Sequence, residues 1–441
     1  MGSHRVSPTT AIAEGARSGE TPDLPDLAGL AEKIFADVAA MSPDVLGVSR
    51  PAYSTVETET LDYLERFARD FGLRTWRDAG ENLVVAAPGD TSPEAPCGYF
   101  GSHVDSVPQG GNFDGLAGVV AALLTLIALV REDAPMRVPL RVLALRGEES
   151  AWFGNAYMGS QALFGRLGEK ALSTRRRDGR GTLADAMRET GIEMAKIEAG
   201  EPLVDATQIR FFLELHIEQG PVLVERQWPV AAVTGIRGNV RHREVQCIGQ
   251  AGHSGAVPRW LRRDAVFATS ELIMRMDDHW ATIQQHGGDL VLTAGIFQTD
   301  PAHHAMSRIP GECSFSFEAR SQDTGTLRAF EELLKSECRI IERERRVKFV
   351  FDEAVRSDPA ELDPAMIEAI LTACSAVGLP AEAIPSGAGH DAAIFAQAGV
   401  PTGMIFVRNR NGSHNPDEQM EVEDLVAAIG VMRRVARELT Q

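Results

Sequence analysis

Apolar and polar positions follow one another in two rhythms along this chain. From Leu27, and again over Val56 to Phe71, apolar residues recur every three or four positions, which predicts amphipathic helices. Asn82 to Ala87 reads as a strand stopped by Pro88-Gly89, and Cys97 to His103 as a second strand ending on a histidine. Gly115 to Val130 predicts a closely packed helix, Val138 to Leu145 a fully buried strand, and Ile209 to His216 a further strand that again ends on a histidine. After Thr234-Gly235 the pattern changes. Arg241 to Ile248 alternates, Asp264 to Met276 is helical, and Asp289 to Phe297 is strand-like. In Glu312 to Arg320, Cys313, Phe315, Phe317 and Ala319 alternate with polar residues. A long amphipathic helix over Thr324 to Arg345 and a short strand over Val347 to Phe351 complete a β-α-β-β-α-β order. From Asp358 the first rhythm returns, with a helix over Pro364 to Val377 and a strand over Gly403 to Val407.

The fold class expected is α/β: a mixed-sheet catalytic domain with helices on both faces, interrupted by a smaller α+β open-sheet sandwich. The boundaries expected are a loose N-terminal segment over 1–26, rich in Ser, Thr, Pro and Gly, then 27–235, an inserted domain over 236–353, and 354–441. With 441 residues the chain is too long for one ordinary core.

Composition narrows the function. A net charge of −18, from 44 basic and 62 acidic residues, argues against nucleic acid as a partner. No apolar run approaches the roughly 20 residues that span a bilayer, so no membrane is expected. Cys97, Cys247, Cys313, Cys338 and Cys374 are odd in number, dispersed and without a CxxC pair. They predict a reducing, cytoplasmic location rather than a disulfide framework.

Polar motifs sit just past the apolar runs, where α/β sheets place their sites. They are Gly101-Ser102-His103-Val104-Asp105, Asn112-Phe113-Asp114-Gly115, Gly147-Glu148-Glu149, Glu214-Leu215-His216-Ile217-Glu218 and Ser413-His414. Three imidazoles and a surplus of carboxylates are the inventory for two borderline divalent cations with one carboxylate left as a base. His103 and Asp105, two apart on a strand, share a face, so Asp105 could hold the second ring nitrogen of His103. Asp114, in a glycine-flanked turn before a helix, could bridge two cations; an ordinary aspartate helix cap is the alternative. Of the adjacent Glu148 and Glu149, one could ligate while its neighbour takes a proton from water. Zinc, manganese, cobalt and nickel suit such ligands alike.

These segments resemble the M20 metallopeptidase-like amidohydrolases, and within them the N-carbamoyl-L-amino acid hydrolase, β-ureidopropionase and allantoate amidohydrolase branch. Further matching segments are Gln219-Gly220-Pro221, Gly249 to Gly255, Ile309 to Glu312, Ser386 to Ala392 and Ser413 to Glu418. The resemblance implies that His103, Asp114, Glu149, His216 and His414 ligate two divalent ions, with Asp114 between them. It implies Glu148 as general base, Asp105 as its companion behind the ligands, and His253 as an oxyanion-stabilising residue reaching the site of this subunit or of a partner. Arg320 would clamp a substrate carboxylate, and Gln219, Gly389 and His390 would line the pocket. The inserted domain would be a lid through which a homodimer forms. The chain departs from the family in two places. Trp152 stands where an arginine usually follows the glutamate pair, and His304 and Arg308 replace an asparagine and an aliphatic residue. The expected activity is hydrolysis of a C–N bond in a small anionic substrate, an N-carbamoyl or N-acyl amino acid or related ureido acid. Hydrolysis of an aromatic or heterocyclic amine or amide, and a dipeptidase-like activity, are the alternatives.

Overall fold

The computed structural model describes residues 25–441; the N-terminal segment expected to be loose lies almost wholly outside them. A nine-stranded mixed sheet runs in the order Arg74–Arg77, Leu83–Ala86, Leu140–Leu145, Cys97–His103, Ile209–Ile217, Thr402–Val407, Val230–Ile236 and Ala360–Glu361, with Ala383–Ser386 joined alongside Val230–Ile236. The four strands Leu140–Leu145, Cys97–His103, Ile209–Ile217 and Thr402–Val407 are adjacent and mutually parallel. Their carboxyl ends therefore open on one edge.

Helices cover both faces, as the rhythms predict. Leu116–Arg131 is buried along all but its last two residues. It lies on the sheet with Leu27–Met41, Thr55–Asp70, Pro364–Ala376 and Val422–Leu439 around it, and its leucines and valines fill the larger core. The opposite face is closed by Asp391–Gln397, where Phe395 stacks on Phe212 at 3.9 Å between ring centroids. Gly118 sets how near Leu116–Arg131 comes to the sheet: a Cβ there would lie 1.9 Å from the Leu215 carbonyl oxygen.

The second sheet is antiparallel, in the order Phe297–Gln298, Glu312–Ser321, Gly238–Ile248 and Lys348–Phe351. Ala265–Gln285 and Thr324–Arg345 cover one face, burying Val245, Cys247, Phe315, Phe317, Leu327 and Leu334 in a core of their own. Each helix begins where an aspartate, Asp264 or Asp323, accepts two backbone N–H bonds. The strand expected over Asp289 to Phe297 is two pieces, Val291–Thr293 and Phe297–Gln298, because Gly295 lies between and Ile296 donates to the Ser316 hydroxyl instead. The polypeptide leaves the first sheet at Ile236 and returns at Ala360. On either side of that crossing the two passages stay paired, Ser357 with Asn239 and Ala360 with Ile236.

Gly118→Ala isolates the packing constraint. In an open helix the change is stabilising by about 1 kcal/mol. Here the overlap reverses the sign, and a loss of about 1–3 kcal/mol is expected in urea unfolding; a stabilised variant would show that helix and sheet are not locked at this distance.

Candidate metal centre

The parallel strand ends carry the expected side chains. His103 closes its strand in register with Leu145, and Arg146-Gly147-Glu148-Glu149 continues past the neighbouring strand. That turn is fixed from below. Buried Arg146 donates from Nε to Glu57 Oε2 at 2.7 Å, and the Gly147 N–H donates to Glu57 Oε1 at 2.9 Å. Asp105 then takes the N–H of Glu148 on one carboxylate oxygen and that of Glu149 on the other, each at 3.0 Å. The role read for Asp105 from sequence was to steer His103. His103 Nδ1 instead has the Asp105 main-chain carbonyl as its nearer partner, at 3.1 Å against 3.4 Å to the carboxylate. The carboxylate is spent on aiming the glutamate pair.

Asp114 is not a helix cap. The cap position of Leu116–Arg131 is Gly115, which makes no side-chain cap bond. Gly115 has φ +65°, and a Cβ there would meet the His103 ring at 2.4 Å. The Asp114 carboxylate is thus free to turn toward the histidines. Its Oδ1 lies 3.4 Å from His103 Nε2 and 3.1 Å from His216 Nε2, and these two nitrogens are 3.4 Å apart. Its Oδ2 lies 3.5 Å from His414 Nε2, which is 3.4 Å from Glu149 Oε1. Two ligand clusters result: His103, Asp114 and His216, and Asp114, Glu149 and His414. Glu148 belongs to neither; its Oε2 is 3.9 Å from His103 Nε2.

The chemistry of the donor set fits divalent cations. His103 and His216 each point Nδ1 at a carbonyl, those of Asp105 and Ile217, so Nδ1 is engaged as a donor and Nε2 is the nitrogen turned toward Asp114. Ligands at about 2.1 Å in tetrahedral geometry lie roughly 3.4 Å from one another, the spacing seen here. Glu149 Oε1 is buried without a hydrogen-bond partner. Burial pushes the Glu148 carboxyl well above the ordinary range; His103 opposes this, and the neighbouring carboxylates of Glu149, Asp391 and Asp105 reinforce it. Burial works the same way on Asp114, but His216 and His103 overcome it and hold Asp114 well below its usual value. The Glu149 carboxylate beside it raises His414 to about 9.

Several supporting residues were not singled out from the sequence. Arg50 is fully buried beneath the carboxylates and donates to the Val104 carbonyl and to Asn112 Oδ1, each at 2.8 Å. Glu418 accepts from the N–H groups of Phe113 and Asp114, and the Ser413 hydroxyl lies 2.5 Å from Asp114 Oδ2 and 2.6 Å from Glu418 Oε2. The Ser413 to Glu418 segment was visible as a motif. Arg50 and Glu57 lie in helical or loop sequence with no signal of their own.

A cleft of about 940 Å³ joins Asp114, Glu148, Glu149, His216 and His414 to Gln219, Gly389 and Arg320. Gln219 donates to Asp114 Oδ2 at 2.6 Å, and Arg320 donates to the Gly387 carbonyl and lies 3.0 Å from Glu318. His390 does not line the cleft. Its ring is buried, bonded to the Ser386 hydroxyl at 2.8 Å and set edge-on to His216 at 4.4 Å, so it braces a ring rather than meeting a substrate. His253 and His304 also stay outside the cleft of their own chain. His253 is on a two-residue strand paired with Arg308–Ile309, and His304 bonds Thr299 and borders another cleft together with Arg308. Trp152 donates to the Ser106 carbonyl and carries Arg176 over its ring. None of Trp152, His304 and Arg308, where the chain departs from the family, lines this chain's cleft.

A mixed α/β sheet with imidazoles and carboxylates converging at its carboxyl edge defines a metal-dependent hydrolase. The chain belongs to peptidase family M20/M25/M40, whose profile matches residues 99–438. It is 31% identical over 398 residues to the N-carbamoyl-L-amino acid amidohydrolase of Geobacillus stearothermophilus, covering 90% of this chain and 94% of that one. It is 32% identical over 386 residues to the allantoate amidohydrolase of Escherichia coli strain K12, covering 87% and 90%. The crystal structure of a hydantoinase/carbamoylase family amidase from Burkholderia multivorans superposes with a TM-score of 0.83 at 28% identity, over 94% of this chain and 98% of that one.

His103→Ala, His216→Ala and His414→Ala are each expected to lower the divalent metal retained after dialysis, measured by elemental analysis. Unchanged metal content in any one of them removes that residue from the ligand set.

Proposed function

We propose that the chain hydrolyses the C–N bond of an N-carbamoyl or N-acyl amino acid or a related ureido acid, with two divalent ions held by His103, Asp114, Glu149, His216 and His414. The observation that carries this reading is Glu148: a buried carboxyl outside both ligand clusters, facing the same cleft as Arg320. Zinc, manganese, cobalt or nickel bound there would polarise the scissile carbonyl and acidify a water. Glu148 takes the proton of that water on its carboxylate and returns it to the leaving nitrogen as the C–N bond breaks. Burial raises the proton affinity of this carboxyl, which favours its acceptance of that proton. Asp105 keeps Glu148 aimed through the backbone, so the base and the ligand Glu149 are positioned by one anchor. Arg320 grips the substrate carboxylate with its planar fork, and Gln219 and Gly389 border the bound molecule.

The segment 236–353 serves in this reading as the inserted lid and dimerisation domain between 27–235 and 354–441. His253, exposed and outside its own cleft, would complete the oxyanion site of a partner subunit in a homodimer. All five cysteines are buried and free, in keeping with a reducing cytoplasmic location. Among the described residues no helix is long and apolar enough to cross a membrane.

Metal-loaded protein offered a panel of N-carbamoyl and N-acyl amino acids, ureido acids, dipeptides and arylamides tests the reading. Turnover of the first three classes that chelator abolishes and added divalent ion restores is expected; turnover of dipeptides or arylamides alone would replace it. Glu148→Gln should keep its metal and lose about a hundred- to ten-thousand-fold in kcat. Retention of a tenth of the wild-type kcat would remove Glu148 as the base. Arg320→Lys should raise KM about tenfold or more, since an ammonium cannot reproduce a fork contributing roughly 1.5–3 kcal/mol; an unchanged KM places the clamp elsewhere.

A further inference from the structure

The two ends of the cleft differ in charge. Beyond the metal-site carboxylates and histidines, its lining includes six arginines, Arg166, Arg237, Arg241, Arg243, Arg320 and Arg356, against one acid, Asp358, and no lysine. The chain as a whole has an acidic excess of 18, so its overall composition does not account for this wall. Two of the six are committed elsewhere. Arg237 makes a bidentate contact with Asp289, and Arg356 one with Glu331. The other members of the lid wall are under-neutralised. Arg241 and Arg320 share the single carboxylate of Glu318. Arg243, two positions along the same strand from Arg241, has no acidic partner for its side chain among the described residues. Asp352 does not supply one: it accepts the backbone N–H groups of Arg243 and Glu244, at 2.9 and 3.3 Å, where the pairing register of the strand shifts.

Arg320 lies opposite Asn239 and Arg241 opposite Glu318, so the two arginines are diagonal neighbours across adjacent strands. Three guanidinium groups against one carboxylate repel one another. Low-dielectric walls focus that field into the cleft, where it attracts anions. One substrate carboxylate on Arg320 would leave one positive charge uncompensated. Tyr157 borders the cleft, and the charges of Glu148, Asp391, Arg241 and Arg320 all reach its hydroxyl.

We propose that Arg241 and Arg243 form a second anion subsite beyond Arg320, and that the preferred substrate is a dianion, the N-carbamoyl or N-acyl derivative of an amino acid with an acidic side chain. The α-carboxylate meets Arg320, the side-chain carboxylate meets Arg241 and Arg243, and the C–N bond reaches Glu148. This rests on the C–N hydrolase reading above.

The test compares near-isosteric pairs on metal-loaded protein, N-carbamoyl-L-aspartate with N-carbamoyl-L-asparagine and N-carbamoyl-L-glutamate with N-carbamoyl-L-glutamine. The acid is expected to exceed its amide in kcat/KM by about tenfold or more, as a charge-assisted contact allows. Arg243→Gln, at an exposed position, and Arg241→Gln should each reduce that ratio about tenfold while metal content and melting temperature hold. Equal kcat/KM for acid and amide in the wild type, or a ratio that neither variant moves, overturns the subsite. Calorimetric binding of the same pairs to metal-loaded Glu148→Gln separates the two readings. Tighter binding of the dianion without turnover by the wild type would sink the hydrolase reading and keep the subsite. Turnover of acid and amide alike, with equal binding, would sink the subsite alone.

Discussion

Like charge is crowded at one edge of a parallel sheet, and much of the surrounding structure serves to keep it there. Asp105, Asp114, Glu148 and Glu149 all lie at or next to the ends of neighbouring strands and are almost wholly buried. Left to themselves such groups would repel, take up protons or turn outward. Each is held instead by contacts from the surrounding backbone and side chains, Gln219 and Ser413 among them at Asp114. Backbone N–H groups occupy Asp105, Glu418 orders the Asp114 turn, and His103 and His216 turn their Nε2 atoms to Asp114. The result is a cluster of ligating atoms, Glu149 Oε1 among them without a hydrogen-bond partner, that a divalent cation would complete.

Two buried arginines keep this crowding compatible with a folded chain. Arg50 braces the loop after His103 and spreads positive potential under Asp105, Asp114 and Glu418. Arg146 ties the turn before Glu148 to Glu57, on a helix far away in sequence. Breaking a buried pair of this kind typically costs about 3–5 kcal/mol, because the remaining charge has no water to turn to. Foundation and site are therefore coupled: the residues that make the carboxylates tolerable also fix their directions.

Much of this was legible in the residues and some was not. Strand-end histidines, a glycine-flanked aspartate and an acidic pair after an apolar run are local signals, and they identify side chains that the fold does bring together. Strands such as Leu140–Leu145, buried on both faces, announce themselves by an unbroken apolar run. What a single sequence could not provide was long-range pairing. Nothing near Asp105 says that its carboxylate will receive the N–H groups of residues more than 40 positions on, and nothing near His390 says that its ring will sit behind His216. The short helices between Tyr157 and Gln208 escaped notice because pieces of four to seven residues carry too few turns to set a period. The arginine wall escaped for a related reason: Arg166, Arg243 and Arg320 lie on separate segments, and only folding gives them a common cavity.

The paired crossing between the two sheets has a mechanical meaning. Where two strands pass together and keep hydrogen bonds on either side of the junction, neither can slide without the other. Sliding of the second sheet along the first would have to break both pairings at once.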